Sequence, residues 1–220
     1  MARGCFVTAT DTGAGKTVLS AALVASLRSR GEPVRARKPL LTGLDEAGPH
    51  DDEILSLAGG EAREIVSPLR YGPAVSPHLA AELAGTPIDV AALVAATLEG
   101  SRPLIVEGIG GLLVPIAPGY DVRRFAAELG LGVVIAARPG LGTINHTLLT
   151  LEAARAGGLD VRAVVLTPWP ARPGQLELSN RATLERLGEV EVAVLEEVAP
   201  LTAEALAAAG SRLAYEGWLA

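Results

Sequence analysis

Apolar and polar positions recur along this chain with two different spacings. Short runs of mainly apolar residues predict strands over residues 4–9, 33–37, 104–106, 133–137, 161–166 and 190–195. Longer stretches with helical spacing, or with cap and stop residues, predict helices over residues 17–30, 52–58, 77–84, 89–98, 122–129, 145–156, 175–187 and 202–209. Apolar strands that alternate with helices indicate an α/β fold, with a mostly parallel sheet and helices on both faces.

We expect the chain to fold as one unit. No repeat, low-complexity segment or linker divides its 220 residues, and the proline-rich stretch 168–174 is predicted to be a loop at a sheet edge. The prediction is therefore a single domain over residues 1–220. With 49% hydrophobic residues, the composition is typical of a folded protein and not of a disordered one.

Charge and cysteine content narrow the classes of function. A net charge of −6 argues against binding to nucleic acid or to an anionic membrane surface. The single cysteine, Cys5, excludes a disulfide framework and a multi-cysteine metal site. The first residues do not resemble a secretory signal, and no apolar run approaches the ~18 residues of a membrane span. We expect a cytoplasmic protein with neither a nucleic-acid nor a membrane partner.

A glycine-rich loop follows the first predicted strand and ends in Gly15-Lys16-Thr17, immediately before a predicted helix. This is the context of a phosphate-binding P-loop, in which free backbone N–H groups at a helix N-terminus face the phosphates. In that motif the lysine reaches the terminal phosphates and the hydroxyl binds Mg²⁺. Thr10 stands where the usual pattern has glycine, so the loop is a variant. The predicted nucleotide-binding residues are Gly13, Ala14, Gly15, Lys16, Thr17 and Val18, and Thr12 and Lys16 are candidate catalytic residues.

Acidic residues at the ends of predicted elements suggest a metal site. Glu107 ends a predicted apolar strand, which is the position of the acid that holds Mg²⁺ in P-loop enzymes. Gly108 and Gly110 follow it and allow a ligand to approach the backbone closely. Asp51 and Asp52 precede or open a predicted helix, where an acid also serves as a helix cap. Which of the two aspartates lies nearer the metal stays open at this point.

Lysine is rare in this sequence. Of the nineteen lysines and arginines, only Lys16 and Lys38 are lysines. A compact ammonium group fits a phosphate oxygen or a small substrate in a way that a planar guanidinium does not. Lys38 ends the second predicted strand, on the same side of the sheet as the glycine-rich loop. It is therefore a candidate catalytic residue, with a surface lysine as the alternative interpretation.

A second glycine-rich segment, Gly140-Leu141-Gly142, follows the strand predicted at 133–137 and precedes another helix. The N-terminus of that helix is predicted to bind an anion, either a phosphate or a carboxylate. His146 lies in its first turn, and packing or capping is at least as plausible a role for it as catalysis.

Taken together, these segments resemble the family of ATP-dependent dethiobiotin synthetases, which are P-loop enzymes of biotin synthesis. The segments occur in the family's order and cover most of residues 4–150, whereas residues 151–220 match less sharply. The segments that carry the resemblance are residues 8–17, 37–43, Ser76-Pro77-His78, residues 106–115 and Leu141-Gly142-Thr143-Ile144-Asn145-His146.

The resemblance implies a reaction and its partners. The substrate would be 7,8-diaminononanoate, the carbon source CO₂ or bicarbonate, and the co-substrate ATP, with CTP or another nucleoside triphosphate as alternatives. One amine becomes a carbamate, the carbamate takes the γ-phosphoryl group, and the second amine closes a ureido ring. Mg²⁺ is the implied cofactor, and a homodimer with its active site at the subunit interface is the implied assembly.

The same resemblance implies roles for individual residues. Lys38 would stabilise the carbamate and the transferring phosphoryl group, and Thr42 would contact the diamine. Thr17, Asp52 and Glu107 would surround Mg²⁺. The substrate carboxylate would be received by a helix N-terminus of the partner subunit, formed by Gly142, Thr143, Ile144 and Asn145.

The chain departs from the family pattern after the strand predicted at 161–166. Thr167, followed by Pro168, stands where many relatives have the asparagine that reads adenine. Asparagine offers a paired donor and acceptor, whereas threonine offers one hydroxyl. The hypothesis is that the protein discriminates nucleobases poorly or prefers a base other than adenine.

Two other classes of P-loop protein are alternatives. A switch ATPase of the partition type carries an extra lysine in its phosphate loop, where this chain has Asp11. An amide-forming synthase of cofactor biosynthesis usually carries an added glutaminase domain, for which 220 residues leave no room. The sequence therefore favours the synthetase.

Overall fold

A parallel sheet forms the centre of the computed structural model, which describes residues 3–100 and 103–220. Its six strands are arranged in the order β10-β9-β8-β1-β5-β2, and every pairing between them is parallel. The strands of the chain are β1 (Gly4–Ala9), β2 (Arg35–Arg37), β3 (Leu40–Leu41), β4 (Leu69–Arg70), β5 (Leu104–Glu107), β6 (Pro115–Ala117), β7 (Tyr120–Asp121), β8 (Gly132–Ala137), β9 (Val161–Trp169) and β10 (Glu191–Glu196).

Helices connect these strands and cover the sheet. In chain order they are α1 (Lys16–Ser29), α2 (Asp51–Gly59), α3 (Arg63–Val66), α4 (Pro77–Ala84), α5 (Val90–Leu98), α6 (Val122–Leu129), α7 (Thr143–Ala156), α8 (Gln175–Gly188) and α9 (Ala203–Gly210). A 3₁₀ turn at Tyr215–Trp218 follows α9.

Two hydrophobic cores lie on opposite faces of the sheet, because successive strand residues point to opposite sides. In β1, Cys5 and Val7 belong to the core that packs under α1, α2 and α9, whereas Phe6 belongs to the core under α5, α6 and α7. Each of these strand residues is fully buried. The predicted α/β fold, with a parallel sheet and helices on both faces, is confirmed.

The predicted elements match the observed ones closely, with two kinds of difference. Short pieces were missed: the two-stranded pairs β3–β4 and β6–β7 and the one-turn helix α3. The prediction that residues 168–174 form a loop is wrong for the first two of these residues, because β9 continues through Pro168 to Trp169. By that point β8 has ended, at the pairing of Ala137 with Leu166. The missing N–H of proline therefore breaks no hydrogen bond on that side.

The strand order determines where chemistry can occur. β1, β5 and β2 are neighbours, so their carboxyl ends meet at one edge of the sheet. Lys16 follows β1, Glu107 ends β5 and Lys38 follows β2. In open parallel sheets, ligands bind beyond this edge. Within the described residues, no helix is long and apolar enough to cross a membrane.

Candidate functional site

The loop from Thr10 to Gly15 curls over the end of β1 and leads directly into α1. Gly13 and Gly15 adopt positive φ angles of 69° and 91°, a region that favours glycine. At Gly15 an added Cβ would also lie 2.5 Å from the Thr167 side chain. The loop is thus shaped by glycine at two points, and its backbone amides come together at a helix N-terminus.

Four polar side chains converge beside this loop. The Lys38 ammonium contacts Glu107 Oε1 at 2.7 Å, Asp51 Oδ2 at 2.8 Å and the Gly108 carbonyl at 3.1 Å. The Thr17 hydroxyl lies 2.8 Å from Asp51 Oδ1 and 2.9 Å from Glu107 Oε1. An ammonium has three N–H donors, and Lys38 uses all of them. We call Lys38, Glu107, Asp51 and Thr17 the carboxylate cluster.

Burial and charge shift the pKa values in this cluster. Burial alone would lower the pKa of Lys38, but the two carboxylates outweigh it and raise that pKa well above its usual value. Burial raises the pKa of Glu107, and the Lys38 charge offsets this only in part. Asp51 is also desolvated, yet its ion pair with Lys38 lowers its pKa. Lys38 therefore stays protonated and positively charged at neutral pH.

The second lysine lies inside the phosphate loop. Lys16 is 6% exposed, and its ammonium contacts the Asp11 carbonyl at 3.4 Å. Its pKa is lowered, first by burial and then by repulsion from Lys38. A phosphate group would compensate both effects, because it supplies the negative charge that this ammonium lacks.

The carboxylate cluster fits a divalent cation. Glu107 Oε2 is buried and has no hydrogen-bond partner among the described residues. The single proton of the Thr17 hydroxyl cannot be donated to both carboxylates at once. Hard oxygen ligands of this kind suit Mg²⁺, which usually completes its coordination with phosphates and water. In the described part of the chain there is no group of three or more carboxylate, histidine or cysteine ligands. The protein alone would thus supply only part of the coordination shell.

The structure does not bring Asp52, the aspartate that the resemblance places at Mg²⁺, to the phosphate loop. Asp52 is fully buried and forms ion pairs of 3.0 Å with Arg63 and with Arg70, away from Thr17. Neighbouring residues on a helix point about 100° apart, so only one of two adjacent aspartates can face the loop. Asp52 shares the buried face of α2 with Leu55, and Asp51 is the residue that contacts Thr17.

A cavity of ≈ 630 Å³ opens beside the cluster. Thr42, Gly110 and Val18, three of the predicted binding residues, lie on its wall together with both lysines. Its far wall comes from the segment Ala74–Pro77, which includes two residues of the Ser76-Pro77-His78 motif. This size suits a small ligand lying against the phosphates.

Other predicted residues lie elsewhere. Gly142, Thr143, Ile144 and Asn145 begin α7, but the described residues that line the cavity include none of them. Thr167 is 2% exposed and packs against Gly15, behind the phosphate loop. Gly108 donates its N–H to Val7 and accepts from Lys38, so its backbone supports the cluster.

Two contributors were not predicted from the sequence. The wall at Ala74–Val75 has no polar side chain to mark it. Arg138 follows β8 and donates to the carbonyls of Thr12 and Gly13 in the phosphate loop. The signal in the sequence that could have identified Arg138 was its position directly after a buried strand, beside the strand that carries the loop.

The fold and this site define a P-loop protein of the α/β class. Solved structures with a similar fold include a chain of the MinC:MinD cell division protein complex from Aquifex aeolicus, with a TM-score of 0.56 and 15% identity over 98% of this chain and 96% of that one. The septum site-determining protein MinD from Pyrococcus horikoshii has a TM-score of 0.57 and 16% identity over 100% and 93% of the two chains. At these identities the likeness concerns the fold alone.

Sequence relatives define the family. The family model described as AAA domain matches residues 3–205. A protein of Mycobacterium avium named ATP-dependent dethiobiotin synthetase is 40% identical over 92% of this chain and 89% of its own length. Relatives of the same name from Anaeromyxobacter and Haloferax mediterranei are 38% and 39% identical, over 86% and 82% of this chain and 91% and 78% of theirs. The chain belongs to the dethiobiotin synthetase family.

Proposed function

We propose that this protein is an ATP-dependent, Mg²⁺-dependent ligase that converts 7,8-diaminononanoate and CO₂ into dethiobiotin. The observation that carries the proposal is the carboxylate cluster beside the phosphate loop, open to a cavity of ≈ 630 Å³. Membership of the dethiobiotin synthetase family supports the same reaction, because the relatives carry the name of that enzyme.

The proposed reaction has three steps. One amine of the substrate adds to CO₂ and loses a proton, which gives a carbamate. A carbamate oxygen then attacks the γ-phosphorus of the nucleotide, and the bond to the leaving nucleoside diphosphate breaks. The second amine attacks the carbonyl carbon of the mixed anhydride, loses a proton, expels phosphate and closes the ureido ring. Each step needs positioning and charge neutralisation more than a series of acids and bases.

The residues of the site divide this work. Lys38, a cation at neutral pH, would neutralise the carbamate and the phosphoryl group as it transfers. Lys16 and the loop amides would hold the terminal phosphates. Thr17, Asp51 and Glu107 are the residues that would hold Mg²⁺, with Asp51 replacing Asp52 in the set predicted from sequence. When bound there, the ion would neutralise charge on the phosphate oxygens.

The diamine would occupy the cavity, with Thr42 at its wall. Its carboxylate would be received by the N-terminus of α7 from a second copy of the chain. Two observations support this arrangement. Among the described residues, those at the N-terminus of α7 do not line the cavity of their own chain. Leu141, just before this helix end, is 94% exposed. A homodimer would bring that helix end to the other subunit's site.

The proposal is tested by phosphate release from ATP with Mg²⁺ and bicarbonate, with and without 7,8-diaminononanoate. We expect release only with the diamine, together with a product whose mass corresponds to ureido ring closure. Hydrolysis that ignores the diamine would point instead to a switch ATPase. No turnover with the diamine, in a protein that binds ATP, would point to a synthase with another acceptor.

Nucleobase preference is a separate question for the same assay. Thr167 is buried against Gly15, which leaves it poorly placed to read a base by hydrogen bonds. We therefore expect ATP, CTP and GTP to be turned over at rates within about tenfold of one another. The hydrogen-bond pair that an asparagine at this position would make to adenine, and that Thr167 does not make, is worth roughly that factor. A steep preference for ATP would contradict this hypothesis and leave the proposed reaction intact.

A further inference from the structure

Arg138 contacts the phosphate loop and is not among the described residues that line the cavity. It is the first residue after β8, the strand that pairs with β1. Its Nη2 donates to the Thr12 carbonyl at 3.0 Å, and its Nε lies 3.4 Å from the Gly13 carbonyl. One guanidinium therefore contacts two consecutive carbonyls of the loop, in the planar arrangement of donors that distinguishes arginine from lysine.

The direction of these carbonyls fixes the direction of the amides that follow them. In a trans peptide the C=O of one residue and the N–H of the next point to opposite sides. Because the Thr12 and Gly13 carbonyls face Arg138, the N–H groups of Gly13 and Ala14 point away from it. These are two of the amides that a phosphate-binding loop presents to its ligand.

The space for Arg138 depends on Gly13. An added Cβ at Gly13 would lie 3.1 Å from Arg138 Nη2, so a side chain there would crowd the guanidinium. Arg138 is exposed and takes part in none of the ion pairs found among residues 3–100 and 103–220. Its positive charge is thus not neutralised by a carboxylate within that part of the chain, and it lies against the loop predicted to bind phosphate.

We propose that Arg138 is a positioning residue for nucleotide binding, which holds the amides of Gly13 and Ala14 in the orientation that receives phosphate. The proposal rests on the nucleotide site of the proposed function. It predicts that Arg138 acts on nucleotide affinity and on the KM for nucleotide, and that the chemical step, which depends on Lys38 and the carboxylate cluster, proceeds without it.

The chain offers a matched control. Arg155, in the last turn of α7, is also exposed and also donates to two consecutive carbonyls, those of Gly188 and Glu189. These carbonyls lie at the end of α8, outside the phosphate loop. Loss of Arg155 removes the same kind of contact without touching the loop, so it separates a general stabilising role from a role in nucleotide binding.

The experiment compares the wild type with the Arg138→Ala, Arg138→Lys and Arg155→Ala variants. Calorimetry gives the Kd for Mg²⁺-ATP in the absence of the diamine, and steady-state kinetics gives kcat and the KM for ATP. ¹⁵N spectra follow the amide signals of Gly13 and Ala14. We expect Arg138→Ala to raise the Kd and the KM about tenfold, the size expected when a charge-assisted hydrogen bond is lost. The value of kcat should change less than about twofold, and the two amide signals should shift.

Each outcome decides between the possibilities. We expect Arg138→Lys to recover less than half of the lost affinity, because an ammonium keeps the charge without the planar arrangement of donors. Full recovery would overturn the positioning role, since charge alone would then suffice. An Arg138→Ala variant that binds ATP as tightly as Arg155→Ala would overturn it as well, while leaving the proposed function untouched. A wild type that binds no nucleotide would refute both.

Discussion

Asp51 and Asp52 are neighbours at the start of α2, yet each belongs to a different cluster of charges. Asp51 joins the carboxylate cluster with Lys38, Glu107 and Thr17. Asp52 forms a second cluster, in which Arg63 donates to both of its carboxylate oxygens and Arg70 to one of them. We call Asp52, Arg63 and Arg70 the arginine cluster. No pairing joins the two clusters among the described residues.

The two clusters differ in how completely their carboxylates are satisfied, although the arginine cluster also contains one buried atom with no hydrogen-bond partner among the described residues, Arg70 Nε. In the arginine cluster the Asp52 carboxylate faces two guanidinium groups, an arrangement that suits planar, multiple hydrogen bonds. In the carboxylate cluster two acids share one ammonium, and Glu107 Oε2 has no hydrogen-bond partner among the described residues. Incomplete satisfaction of buried polar groups is costly for stability and is typical of functional sites. The comparison supports the proposal that Asp51 serves the chemistry, and the ion pairs of Asp52 indicate a role in the fold.

Removal of Lys38 should have the largest effect on activity. The Lys38→Gln change takes away the charge that would neutralise the carbamate, and we expect turnover to fall about 1000-fold, as when electrostatic stabilisation of a developing anion is lost. Nucleotide binding should persist, because Lys16 and the loop amides remain. Product formation and ATP affinity, measured side by side, check this. Turnover within tenfold of the wild type would remove Lys38 from the catalytic group.

Asp51→Asn should reduce turnover next most strongly. We expect a loss of about 100-fold, because one of the groups that would hold Mg²⁺ is weakened. Asp51 is partly exposed and Lys38 keeps its ion pair with Glu107, so the change in the free energy of unfolding should stay below about 1 kcal/mol. The rate measured over a series of Mg²⁺ concentrations should recover in part at high Mg²⁺. If Asp51→Asn turns over normally while Asp52→Asn does not, the assignment of the two aspartates is reversed.

The sequence predicts the long elements well because their signals are plain: β8 is apolar throughout and α7 ends at Gly157-Gly158. It also predicts which strand ends carry Lys16, Lys38 and Glu107, since the carboxyl ends of parallel strands share one edge. It does not distinguish Asp51 from Asp52. That distinction depends on the rotation of α2, which is fixed by the packing of Leu55 and by arginines that follow the helix by several residues.

Asp52→Asn should act on stability and leave chemistry intact. Breaking a buried ion pair commonly lowers the free energy of unfolding by about 3–5 kcal/mol. We expect a loss of about 2 to 3 kcal/mol here, because both arginines keep some contact with water. The side chains of Arg63 and Arg70 are 33% and 26% exposed. Urea denaturation measures the loss, and turnover at 25 °C should stay within about twofold of the wild type. Unchanged stability would mean that the arginine cluster contributes nothing measurable to the fold.

The smallest effect should be that of Asp51→Asn on the opening of the native fold, for which Cys5 is a built-in reporter. Cys5 is fully buried in β1, and burial raises the pKa of its thiol to about 12. Only the thiolate reacts with a disulfide reagent, so at pH 8 labelling requires the strand to open. Under native conditions the rate then follows the population of open molecules.

We expect Asp51→Asn to label within about fivefold of the wild type and Asp52→Asn about 30- to 150-fold faster, the factors that correspond to their losses of stability. Equal acceleration by the two substitutions would show that both clusters hold the core together, and the division between structure and chemistry would then fail.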